Sequence, residues 1–74
     1  MTLQQALKLR LGQTVYHKDL KNADGSAQRF RVNGKIRTWK RDASRIEIPY
    51  KRGLWEYGYF TASNLEEFDV EEPE

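Results

Sequence analysis

Cysteine is absent from this chain of 74 residues, histidine occurs once, and no apolar run approaches the length of a membrane span. Without cysteine there is no disulfide staple, and a lone histidine without thiolates supplies no usual structural zinc set. Stability therefore has to come from apolar packing in a single domain over residues 1–74, a size that buries only roughly 60% of the surface its unfolded chain exposes. The opening stretch MTLQQALKLRLG is too short of apolar residues for a signal peptide or a span. The expected setting is the reducing cytoplasm, with no membrane association.

Catalytic motifs are equally scarce. A nucleophile needs a base and an orienting group. The single base candidate, His17, sits in TVYHKD with no motif around it and reads as a surface residue at a strand end. No GxxxxGK[ST] phosphate cradle is present, and the paired acids Glu66-Glu67 and Glu71-Glu72 belong to a solubilising acidic terminus. The reading is of a non-enzyme with no cofactor and no metal.

What the chain does have is charge, unevenly placed. Residues 1–65 hold all thirteen Lys and Arg against five of the eleven acids, a net charge of +8, and the remaining six acids lie in residues 66–74. A basic body with an acidic tail, 69–74, expected to fray, suggests a polyanionic partner for the body.

Thr2 followed by LQQALKLR predicts an N-cap and a short helix, with Gln5 at the capping-box position and Gly12 beyond its end. Thr14–His17 has strand composition, and KDLKNADGS reads as a loop closed by Asp24-Gly25. In AQRFRVNGKIRTWK, Asn33-Gly34 is a strong hairpin signal. A two-residue turn there would set Val32 opposite Lys35 and Phe30 opposite Arg37, mixing apolar and cationic side chains on both faces. If the strand runs through, Phe30, Val32, Ile36 and Thr38 share one face, while Arg29, Arg31, Lys35, Arg37, Trp39 and Arg41 share the other. The clean alternation favours the continuous strand, with Gly34 as a bend or a close approach.

RIEIPYK follows with Ile46, Ile48 and Tyr50 on one face, and Pro49 marks a free edge or a local irregularity. An even-length loop after it would put Trp55, Tyr57 and Tyr59 inside and keep Glu56 in water; an odd-length loop would put Leu54, Glu56, Gly58 and Phe60 there. The first is preferred, giving a predicted core of Phe30, Val32, Ile36, Ile46, Ile48 and Tyr57. Thr61–Leu65 predicts a helical turn before a last short strand around Phe68 and Val70.

This order, with the bend within RVNGKI and the Asn64-Leu65 turn before the final strand, resembles the SH3-like small barrels, which include Tudor, KOW and Sm-type domains. The resemblance covers roughly Leu11 to Val70. It implies a mostly β fold, a small barrel of about five antiparallel strands with a short N-terminal helix. An OB-like barrel is the nearest alternative. The chain is also similar to small proteins of bacterial and phage genomes.

The constellation carrying most information is the outward face Arg29, Arg31, Lys35, Arg37, Trp39 and Arg41. Successive same-face residues lie about 6.5–7 Å apart, near the phosphate spacing of one nucleic-acid strand, and Trp39 offers a stacking platform. A nucleic-acid partner is the expectation. The alternatives are an ordinary solvated face, with Trp39 covered by the N-terminal helix, or a protein partner docking by strand addition beside Pro49.

Overall fold

A computed structural model describes residues 1–73; the last residue of the expected acidic tail, Glu74, lies outside the described residues. Helix α1 (Leu3–Leu7) is followed by strands β1 (Thr14–Lys21), β2 (Ala27–Val32), β3 (Arg37–Trp39), β4 (Asp42–Arg52) and β5 (Glu56–Thr61), then a 3-10 turn at Leu65–Glu67 and β6 (Phe68–Asp69). The chain is mostly β, one antiparallel sheet of six strands with one short helix.

The helix begins as its sequence dictates. Thr2 Oγ1 accepts from the Gln5 amide at 3.1 Å, and Gln5 Oε1 accepts from the Thr2 amide at 2.9 Å, so each side chain satisfies the other residue's otherwise unpaired amide. A helix this short needs anchoring. The Met1 nitrogen donates to the carbonyls of Leu65 and Phe68, and Met1, Ala6 and Leu9 enter the core. Trp39, by contrast, lies between Arg37 and Arg45.

The long strand β4 is the spine. Its residues pair on one edge with β5 and on the other with β2 and β3: Lys51 faces both Arg31 and Tyr57, and Glu47 faces both Arg37 and Thr61. Asn33-Gly34 is no hairpin turn, because Val32 lies opposite Tyr50 and the chain continues along β4 in the same direction. The expected continuous strand is nevertheless broken over residues 33–36, where five steps from Val32 to Arg37 match three from Tyr50 to Glu47.

Pro49 explains the break. Its carbonyl accepts from the Asn33 amide at 2.8 Å. In an antiparallel ladder the N–H of the same residue would point to that same side, and proline has none. The neighbouring chain detaches there and loops outward, and a Cβ on Gly34 would stand 2.7 Å from Pro49 Cγ. Glycine is required at 34 by this close approach. Because the excess is two residues, an even number, the alternation of faces survives the break.

The core holds Val15, Phe30, Val32, Ile46, Ile48, Phe60, Leu65 and Phe68, with Ile36 and Tyr50 packed against it. Tyr57 does not belong to it. It is 63% exposed, while Phe60 is fully buried, so β5 takes the odd-length register: three residues separate Arg52 from its partner Glu56. Two local fits support it. Glu56 forms a 2.8 Å ion pair with Arg52 at the sheet end, and Gly58 leaves space for the Tyr50 ring, whose Oη would stand 2.5 Å from a Cβ there.

As a hydrogen-bonded ladder the sheet is open, ending in β5 at one side and β6 at the other. It is curled all the same, since the Phe60 ring of β5 and the Phe68 ring of β6 have centroids 4.8 Å apart. Strand β1 also runs further than expected, to Lys21, so the loop is only residues 22–26. The β1–β2 and β3–β4 hairpins share one device: Asp24 Oδ1 and Asp42 Oδ1 each accept from the amide and hydroxyl two residues on, at Ser26 and Ser44. The serine hydroxyl first and its amide second hold each carboxylate below its ordinary range. The expected frayed tail begins inside the fold, with Asp69 paired to Tyr16 in β6 and Val70 packed on the core.

His17 is the other correction. Only 6% exposed, it packs edge-on against Phe68 at 5.1 Å. Its Nδ1 accepts from the amides of Asp19 and Leu20 at 3.0 and 2.9 Å, so the ring's proton sits on Nε2. These bonds hold the irregular stretch of β1 between Tyr16 and Lys21. His17→Ala is expected to cost about 1–3 kcal/mol, as two amides lose their acceptor and a ring leaves the core. Urea denaturation of the purified variant measures it, and a cost below about 0.5 kcal/mol would return His17 to the surface class.

Candidate nucleic-acid interface

Side chains directly opposed in a sheet share a face, and the register assembles the outer face of this one. A transverse row runs Thr14, Arg31, Lys51, Tyr57 across β1, β2, β4 and β5. Beside it stand Tyr16 opposite Arg29, and Pro49 opposite Tyr59. The inner counterparts are Val15, Phe30, Val32, Tyr50 and Ile48, whose burial fixes which way the row points.

The six residues expected to bind fall into two groups instead of one line. Arg29 and Arg31 are exposed on β2 and line a recess with Thr14 and Lys51. Arg37 and Trp39 lie beyond the break on β3, Lys35 is exposed within the break, and Arg41 is exposed in the turn leading into β4. Trp39 is half-buried, with the Arg45 guanidinium 4.1 Å and that of Arg37 5.5 Å from its ring centre. Cationic stacking already occupies Trp39, so a base reaching it has to displace an arginine.

Two of the cations carry acids. Arg29 meets Glu72 at 3.5 Å and Arg37 meets Glu47 at 3.8 Å. Pairs this exposed contribute about 0–1 kcal/mol and exchange readily for another anion. Arg31 donates to the Gly12 carbonyl at 3.4 Å, which holds its guanidinium over the recess. Among the described residues no cluster of three or more His, Asp or Glu is placed to hold a metal ion, and no helix is long and apolar enough to cross a membrane.

Sequence reasoning missed Lys51, Arg45, Trp55, Tyr57 and Tyr59. Lys51 places its ammonium 5.6 Å from the Tyr57 ring centre. Tyr57 and Tyr59 are 63% and 52% exposed, and Trp55, in the turn before them, is 86% exposed. Between the two tyrosines a second recess is lined by Asn33 and Pro49. The signal for this aromatic row is Gly58: a glycine facing Tyr50 across the ladder puts its neighbours outside. Pro49, expected to mark a free edge or a local irregularity, marks the irregularity: it is covered on both sides, by Tyr59 and by Asn33, and the neighbouring strand breaks beside it. Among the described residues the outer sides of β5, β3 and β6 carry no ladder, and β5 is the longest of these edges. Compared with protein-family models, curated proteins and solved structures, the chain shows no match, so its own residues are the ground for what it does.

Proposed function

We propose that this chain is a small, non-enzymatic binding module on an SH3-like barrel scaffold, and that it binds nucleic acid through the outer face of its sheet. The observation that carries the reading is the cationic recess of Arg29, Arg31, Lys51 and Thr14. Three cations line one concave spot with Thr14, Phe30, Gly53 and Leu54 and no acidic side chain, an arrangement suited to phosphate. The element order, the curl that joins Phe60 to Phe68 and the 3-10 turn before β6 support the scaffold assignment. Arg37, Trp39, Arg41 and Arg45 extend the positive face toward the β3–β4 hairpin, and the net charge of +8 over residues 1–65 steers a polyanion to it.

Affinity for a labelled oligonucleotide is expected to fall steeply with salt through counterion release. Arg31→Glu should lower it at least about ten-fold and flatten the salt slope by about 0.7–0.9 for each phosphate no longer neutralised. Arg37→Glu, outside the recess and already paired with Glu47, should have the smaller effect. Anisotropy titrations at two salt concentrations measure both; indifference to Arg31→Glu would refute the site. A second reading rests on the unpaired edge of β5: a protein partner adding a strand there. It becomes the better one if no oligonucleotide binds at low salt.

A further inference from the structure

We infer that the ligand of this face is an unpaired polynucleotide strand, with Tyr57 and Tyr59 stacking its bases while the recess of Arg29, Arg31 and Lys51 holds its phosphates. The inference rests on the nucleic-acid reading above and specifies the strandedness of the ligand. Tyr57 and Tyr59 occupy alternate positions of β5 on one face, so their rings stand about 6.5–7 Å apart along the strand. That spacing suits bases pulled apart along an extended strand better than bases stacked in a helix. The recess between the rings is lined by Pro49 and Asn33, giving an apolar surface for a base and an amide for its edge.

The phosphate recess adjoins this slot directly. Lys51 lines one and sits over the Tyr57 ring beside the other, since Lys51 and Tyr57 are ladder partners. A base arriving on Tyr57 displaces the ammonium from the ring, and the nearest acceptor for it is the phosphate of that same nucleotide. Base faces in a duplex are stacked on one another, so aromatic rings on a sheet surface find a stacking partner only in a strand whose bases are free. A protein ligand is the poorer fit, because protein interfaces are depleted of lysine, where this face carries Lys51 beside the tyrosines.

The test compares a short labelled oligothymidylate with a duplex of equal length, titrated at one low salt concentration against the full chain and four variants. The expected result is tighter binding of the single strand. Tyr57→Ala and Tyr59→Ala should each weaken it about 5- to 150-fold, leaving duplex affinity within about two-fold, whereas Tyr57→Phe and Tyr59→Phe retain binding because the ring and not the hydroxyl stacks. Both tyrosines are exposed, so folding is not at stake. Equal affinity for single strand and duplex, with neither changed by the alanine variants, overturns the stacking inference and leaves the electrostatic reading standing. Failure of both ligands to bind overturns the two together.

Discussion

Phe60→Ala is expected to cost about 3–5 kcal/mol, the full range for a buried aromatic truncated in a core. Phe60 has no exposed surface, and its ring lies within 4.8 Å of the Tyr50 and Phe68 ring centres and 6.4 Å of Phe30. It is also where the two ends of the curled sheet touch. A domain of this size has about 4–11 kcal/mol of total stability, so the variant should be largely unfolded or show a midpoint shifted by a large fraction of the whole transition. Tyr57→Ala, three residues earlier and exposed, should cost less than about 1 kcal/mol. Urea denaturation followed by far-ultraviolet circular dichroism ranks the two. A reversed ranking would mean that β5 is turned over and that the outer face described above is an inner one.

Gly58→Ala is the second large effect, expected to cost about 1–3 kcal/mol as overpacking. A Cβ there would stand 2.5 Å from Tyr50 Oη and 2.6 Å from Cζ. The Tyr50 ring has little freedom to retreat, since Phe30 and Phe60 hold it at 5.1 and 4.8 Å between ring centres. Tyr50→Leu removes both atoms of the clash, so the double variant should be more stable than the two single costs imply, with a coupling of about 0.5–3 kcal/mol. In the other register Gly58 would face water, and alanine would be neutral or mildly stabilising. The sign of that one substitution separates the registers.

Local sequence made some of this readable. The capping box of Thr2 and Gln5 needs only four residues, and the alternation through Phe30, Val32, Ile46 and Ile48 names its own inner face, so both appear as expected. Continuation past Asn33-Gly34 was legible because a hairpin there would have mixed arginine with valine on one face. The register of β5 was not, since LWEYGYF carries aromatic residues on both of its faces. The facts that decide it, the Tyr50 ring filling the place of a Gly58 side chain and Arg52 meeting Glu56, lie across the ladder. His17 escaped for a related reason: its two hydrogen bonds go to amides of an irregular strand that the polar sequence KDLK does not announce. Hence the exposed arginines of the face could be named from the chain, while Lys51 and the tyrosines beside them could not.

Gly34 and Pro49 form a single heritable unit. Any larger residue at 34 runs into the proline ring, and any residue other than proline at 49 brings an amide on the side where the neighbouring strand breaks away at Asn33. A lineage that loses one of the pair gains by losing the other, and the route between the two states passes through an intermediate with either a clash or an idle donor. Relatives of this chain should therefore divide into those that keep both residues with the two-residue excess between β2 and β3, and those that lack both and carry one uninterrupted strand along β4.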